Sequence, residues 1–474
     1  MSAWLLFLAI VALAPRPALA QINLSATAGT PAASYTTLKG AFDAINAGTH
    51  QGAIAISVTG NTTELATAVL AASGSGAATY SGVVITPRGG ATRVIGGSLD
   101  APLIDLDGAD NVTINGLNSG GNALILTNLN TGAAALTLRF INDASNNNIS
   151  NAALSGSGTD NTRCRLVLHW HGYRQRQQLS VQLQHCSAAG GTPTNGVVSI
   201  GSAAPAENSG NTIGNCDVAN FFNASTATVG ILIGSGNTQW TVNNNRLFQS
   251  VPRTYTTANV HSGIQIASGA DHIISGNRIG FSSGAGTGVY TMLGTIATRL
   301  IAIDINLTAA APVSVQGNTV SGISLATSSG ATTTFGVLCG INITGGSASV
   351  GTVTPNIIGG ASGVDLLTVT SLTSGALLAG IHTSSPDAVT IQNNTIGGLS
   401  SSGTTATVAG SVTGINVSGS TASLTIIGNT ARQPKRQQLA RWYQWLYHRK
   451  FTGIGNQFRY CLAVRNSQCC KQHR

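Results

Sequence analysis

The chain is 474 residues long, with 59 glycines, 8% charged and 5% aromatic residues, and abundant Ser, Thr, Asn, Ala, Ile and Val. Helical bundles draw on Glu, Lys, Leu and Arg, so this composition excludes them and points to an ordered chain of many short strands and turns; the low charge likewise excludes simple disorder. The formal net charge of +9 suggests nucleic-acid binding, but four of the 23 Lys and Arg fall in 163–187 and ten in 432–474, neither of which holds any Asp or Glu, so the remainder is net acidic.

Residues 1–20 read as a signal peptide. An apolar run from Met1 to Ala14 is too short to span a bilayer and is followed by Ala18-Leu19-Ala20, a small-residue cleavage site, before Gln21. The usual basic n-region is missing, since Arg16 lies after the apolar core. Export is expected, to the medium or the cell surface. No later stretch offers about eighteen uninterrupted apolar residues, so no transmembrane segment is expected.

Residues 21–50 read as an N-terminal cap. Within Tyr35 to Gly48, Leu38, Ala41, Phe42 and Ile45 share one helical face, Thr36 or Thr37 can cap the start, and Gly48 can end the helix. A solenoid exposes its end coil to water and to edge pairing, so a short amphipathic lid is expected there.

From 51 to 431 one unit recurs: Gly or Ala, an apolar-x-apolar strand, a polar turn, a second β-branched strand, then Asn and another apolar residue. Copies start at Gly230, Gly263, Ala302, Gly340, Gly380 and Gly414, with spacings of 33, 39, 38, 40 and 34 residues. Strands that break after a few residues cannot build large flat sheets, but stacked coil on coil they pair in register and bury a continuous apolar column. The sequence therefore predicts an all-β chain, a right-handed parallel β-helix with a short N-terminal capping helix. Ile231, Ile264, Ile303, Ile341, Ile381 and Ile415 should form one buried column. Corner asparagines tolerate the left-handed region and can bond an equivalent Asn one coil away, so they are read as structural.

Two tracts break the repeat, 163–187 and 432–474. They hold five of the seven Cys, three of the five Trp and most of the positive charge, and both contain an Arg-Gln-Gln-Leu string. Reading from the second base of each codon turns Trp into Gly, Cys into Val or Ala, and Tyr into Ile or Thr, which restores the repeat alphabet. Both tracts are read as frameshifted coil, the second a non-native tail.

The segments Asp105 to Leu117, Phe140 to Ile149 and Ala41 to Gly52 resemble the secreted bacterial β-helix repeat proteins, over most of 21–431. The resemblance implies export and a β-helix; such modules serve adhesion, matrix and carbohydrate roles alike.

Candidate chemistry is sparse. Cys164, His169, His171 and Cys186, and Cys461, Cys469, Cys470 and His473, have no paired zinc spacing and lie in the frameshifted tracts, so they read as unselected side chains. Cys216 and Cys339 read as small buried hydrophobes. The basic runs Arg174 to Gln178 and Lys435 to Lys450 imitate nucleic-acid surfaces in composition alone, and no nucleic-acid partner is expected. Asp105, Asp107 and Asp110, around Gly108, are the one candidate calcium set; the structural alternative puts Asp105 and Asp107 on one strand face and Asp110 in a turn cap. No other cofactor is expected. The carboxylate clusters and Asn-Thr-Asp, Gly-Asp-Asp, Gly-His-Gly and Arg-Ile-Lys motifs of polysaccharide-cleaving β-helices are absent, and Asp271, His272 and His382 read as turn or solvent-facing residues. The expected function is a non-enzymatic adhesion or matrix role with a carbohydrate or cell-surface ligand; the alternative is a carbohydrate-active β-helix.

The frame reading is tested by nucleotides. The coding DNA read in the +1 frame across 163–187 and beyond Arg432 should give Gly-, Asn-, Ile- and Val-rich coils; stop codons in that frame would refute it and restore the basic tail as a candidate polyanion-binding element.

Overall fold

The computed structural model describes residues 20–156, 164–169, 179–188, 192–201, 207–307, 312–330, 334–360, 366–372, 376–403, 411–419, 421–432 and 448–452. The expected signal peptide therefore lies outside the described residues, Ala20 excepted. Within them the fold is all-β with a single helix, and its strands stack in parallel sheets as a β-solenoid.

Each coil contributes one strand to an eleven-stranded sheet that runs from Ala68–Ala71 to Ser411–Val417. The chain then makes a short strand, a corner and another short strand, as in Thr241–Asn243 and Arg246–Phe248, both within the largest sheet. Five coils add a strand to a further sheet, which includes Ile323–Thr327 and Leu367–Ser371. Named strands pair antiparallel only at the two ends: Ile22–Gly29 with Ala32–Tyr35 and His50–Val58, and His448–Thr452 with Ser423–Ile427.

The isoleucine column forms as expected. Ile231, Ile264, Ile303, Ile341, Ile381 and Ile415 are successive register partners, buried except for half-buried Ile415 in the last strand of the sheet. Each buried isoleucine contributes about 1.5–3 kcal/mol relative to exposure. The residue before each is Gly in all but one coil because backbones approach closely there: a Cβ on Gly340 would sit 2.5 Å from the Gly380 carbonyl oxygen.

At the corner stands a ladder of asparagines. The backbone N–H and the Nδ2 of Asn277 both donate to Asn318 Oδ1, at 3.0 and 2.9 Å, and the same pair of bonds links Asn245 to Asn277, Asn318 to Asn356, Asn356 to Asn394 and Asn394 to Asn429. The second Nδ2 proton reaches a strand carbonyl of the preceding coil, as from Asn318 to Ile274. The residue before the rung is left-handed in most coils: Asn244, Gly276, Gly317, Asn393 and Gly428 all have φ between 54° and 66°. Asn and Gly tolerate that region, which explains the Asn-Asn and Gly-Asn pairs in the sequence.

The helix Leu38–Asn46 is capped by Thr37, whose side chain accepts from Gly40 N–H, and it buries Leu38, Ala41, Phe42 and Ile45 as its spacing predicts. Its first N–H groups, on Leu38 and Lys39, donate to the buried Glu64 carboxylate at 2.9 and 3.0 Å, a favourable charge at a helix N-terminus. Asn46 at its other end bonds Val69 O and Ala71 N of the first strand of the eleven-stranded sheet.

Of the first irregular tract, Cys164–His169 pairs in parallel between Leu136–Ile141 and Asn195–Ile200, and Leu179–Ala188 pairs with Asn147–Gly156. Its backbone fills one coil.

Two substitutions test the stacking. Ile341→Asp places an unpaired charge in the column and should cost several kcal/mol. Asn318→Leu removes the acceptor from two buried donors of Asn277, at about 1–3 kcal/mol each. Both should lower the midpoint of denaturant unfolding; unchanged midpoints would reject the register described above.

Candidate functional site

Parallel register lines up one position per coil along the eleven-stranded sheet, and among the residues whose side chains are described it is a position on the sheet's outer face. In chain order the row is Val69, Asp105, Arg139, Val167, Val198, Leu232, Gln265, Asp304, Asn342, His382 and Asn416. It opens with an ion pair and closes with a polar network.

The network builds from Asp304. Gln265 Nε2 donates to Asp304 Oδ2 at 3.1 Å, and Asn342 Nδ2 donates to Asp304 Oδ1 at 2.7 Å. Asn342 Oδ1 lies 2.7 Å from His382 Nδ1, so an acceptor faces that nitrogen and fixes the proton on it. His382 Nε2 lies 2.9 Å from Ser418 Oγ. With Nδ1 protonated, the neutral imidazole offers Nε2 as acceptor to the serine hydroxyl. Burial pushes the Asp304 carboxyl above its usual range against the two bonds that it accepts, and burial pulls the His382 imidazole down to about 4.

The segment Thr334–Val337 lies over the His382 end of the row. Phe335 meets His382 edge to face, Arg299 lies over the Phe335 ring at 4.4 Å, and Gly336 bridges to Leu378. His382 is fully buried, which corrects the expectation of a solvent-facing residue; Ser418 is half-buried and the following Gly419 exposed.

At the other end of the row Arg139 clamps the buried Asp105 carboxylate through two bonds of 2.9 and 2.6 Å. Asp107 accepts from Asn142 Nδ2 at 2.6 Å, and Asp110 accepts from Ser145 N–H and Oγ at 2.6 and 2.7 Å. The three carboxylates grouped in sequence thus hold three separate partners one coil on. Beside them, burial and then the charge of Asp110 push Asp143 up to about 6. Among the described residues no group of three or more His, Cys, Asp and Glu side chains lies close enough to hold a metal ion. The tract residues Cys164, His169, His171, Cys186, Cys461, Cys469, Cys470 and His473 fall outside what the structure describes of side chains. Cys216 and Cys339 are buried against the apolar core, as expected of small hydrophobes.

A second polar cluster lies inside the coil. His261 is buried between the hydroxyls of Thr228 and Tyr290, stacks on Phe221 at 5.1 Å, and has Tyr255 near its Nδ1. Burial, with a smaller effect of Arg253, pulls it down to about 3. His272 accepts from Trp240 N–H and faces Ser268 O, and burial lowers it too, so it is a turn-fixing residue. Sequence reasoning did not single out His261; its signal is position, a histidine in the inward column that continues as Leu300, Leu338 and Leu378.

Compared with known proteins, the chain matches no family model, no curated protein and no solved structure.

The buried histidines make a pH prediction. A histidine that stays neutral in the fold but protonates near 6.5 when unfolded withdraws stability as pH falls, by up to about 1.4 kcal/mol per pH unit. For His382 the window runs from 6.5 down to about 4. The raised carboxyls of Asp143 and Asp304 act in the opposite sense. The single site is isolated by His382→Gln, whose loss of Tm between pH 7 and pH 4.5 should be smaller than that of the natural protein; equal losses would show that His382 titrates normally in the fold.

Proposed function

We propose that the chain is an exported, right-handed parallel β-helix, closed at its N-terminal end by the helix Leu38–Asn46, that presents a hydroxyl face for adhesion or matrix contact. Parallel strands joined by a crossover are right-handed in nearly every known sheet, which supports the handedness. The cap reading rests on Asn46, whose side chain takes the place of a preceding coil on the backbone of Ala68–Ala71.

The observation that carries the functional reading is an outward column on the largest sheet. Thr212, Thr241, Ile273, Ser314, Ser349, Thr390 and Thr425 are successive register partners, and six of the seven carry a hydroxyl. Across the asparagine corner a second column begins with the Asp217–Arg246 pair and continues through Arg278, Thr319, Ile357, Thr395 and Thr430. From Ser314 and Thr319 onward neither column carries a charge. Hydroxyls repeating at the strand spacing of about 4.8 Å form an uncharged donor and acceptor lattice that suits a hydrated polymer rich in hydroxyls, a polysaccharide above all.

Binding is read with immobilised cellulose, pectin and alginate. Ser349→Lys with Thr390→Lys should weaken retention on the polysaccharide that the natural protein binds, with unfolding unchanged. Equal retention of the variant, or no retention of the natural protein on any of the three, would overturn the reading. Reproducible cleavage of pectin or alginate would replace it with the carbohydrate-active alternative.

A further inference from the structure

The outer polar row ends in an arrangement that adhesion does not require. Ser418 Oγ, His382 Nε2, His382 Nδ1, Asn342 Oδ1, Asn342 Nδ2 and Asp304 Oδ1 follow one another through contacts of 2.9, 2.7 and 2.7 Å. A hydroxyl within hydrogen-bond reach of an imidazole nitrogen, with the other nitrogen held by a third polar group, is the signature of an activated nucleophile. We propose that Ser418, His382 and Asn342 form a nucleophile, base and positioning set that hydrolyses small acyl esters.

Three features support the assignment. The proton on His382 Nδ1 is fixed by the Asn342 carbonyl, which leaves Nε2 directed at the serine. Asn342 is in turn oriented by the buried Asp304, itself held by Gln265, so the base has a second and a third layer of support. The apolar enclosure by Phe335 covers the histidine while Ser418, just past the final strand of the eleven-stranded sheet among the described residues, stays half-exposed beside exposed Gly419. A base that is dry and a nucleophile that is reachable is the division that acyl transfer needs.

In the reaction, Ser418 Oγ bonds to the acyl carbon as its proton passes to His382 Nε2. The bond from that carbon to the alcohol oxygen then breaks, and the leaving alkoxide takes the proton from His382. Water repeats the sequence on the acyl-serine, with His382 accepting its proton and returning it to Ser418, and releases the carboxylic acid. The Ser418 N–H already donates to Thr383 O, so esters with good leaving groups, which ask least of an oxyanion site, suit the arrangement best.

The full chain is treated with a fluorophosphonate probe, and its hydrolysis of p-nitrophenyl acetate is followed. The expected result is phosphonylation at Ser418 located by peptide mass spectrometry, and ester hydrolysis that falls about 100-fold or more in Ser418→Ala with circular dichroism and Tm unchanged. Asp304→Asn, which acts only through Asn342, should lower kcat several-fold and leave KM unchanged; a merely structural role would move neither in a folded variant. The labelling is read on the natural protein and stands whatever the variants do. No label on Ser418, or hydrolysis undiminished in Ser418→Ala, would overturn the proposal. The hydroxyl face lies on another sheet, so polysaccharide retention and ester hydrolysis succeed or fail separately.

Discussion

The asparagine ladder is the constraint on which the solenoid's C-terminal half depends. A buried turn leaves main-chain N–H groups that water cannot reach, and each would cost about 1–3 kcal/mol if unpaired. One Asn per coil solves this for its neighbour: its Oδ1 accepts both the N–H and the Nδ2 of the preceding rung, while its own Nδ2 reaches back to a strand carbonyl. Because donor and acceptor lie on different coils, the bond fixes their rotation and rise together. A coil shifted by one residue would lose the ladder and turn its isoleucines outward at once. Cys216 stands at the position before Asn245 and supplies only its N–H, at 3.0 Å, so the described ladder begins there. Nearer the N-terminus Asn147 does a related task, accepting from Val112 N–H and donating to Ala109 O.

Once register is locked, each strand position becomes a row along the whole molecule, and the chemistry of a row is set by which residue type recurs in it. The inward rows are mostly Ile, Val and Leu. One outward row is Ser and Thr; another carries Asp304, Asn342 and His382, residues about 40 positions apart in the chain that the stacking brings into hydrogen-bond contact. Insertions between strands then decide what is covered. Phe335 covers His382, and burial, rather than any local charge, accounts first for the directions in which Asp304 and His382 shift.

This explains what the sequence reveals and what it hides. The isoleucine column, the helical face of Leu38, Ala41, Phe42 and Ile45, and the corner asparagines are periodic, and periodicity survives in a linear reading. His382 does not repeat, and its burial depends on a loop folded over it from another coil. The same holds for His261, whose neighbours Thr228, Tyr255 and Tyr290 come from separate strands and turns. Asp105, Asp107 and Asp110 are close in sequence, and the stacking gives each a partner one coil on, which the linear reading does not show. The first irregular tract shows a further limit. Cys164–His169 keeps parallel register with Asn195–Ile200 although the tract around it departs from the repeat's residue types, so backbone stacking there is not legible from the pattern.

The two ends of the stack face the same problem with different means. At the N-terminal end, antiparallel pairing of Ile22–Gly29 with His50–Val58 and the Asn46 amide on Ala68–Ala71 occupy edge groups that would otherwise seek another chain. At the other end Ile415, Leu424 and Ile426 are only half-buried, although their partners one coil earlier, Ile381, Val389 and Ile391, are fully enclosed. A coil is thus completed by its successor, and the final described one is not. His448–Thr452 pairs antiparallel with Ser423–Ile427 and shields that edge of the largest sheet. It does not extend the eleven-stranded sheet, whose last strand among the described residues is Ser411–Val417. Ser418 follows that strand, half-buried, with the buried imidazole of His382 beside it. Among the described residues Ser418 is thus the half-buried hydroxyl at the end of a row whose histidine is fully enclosed.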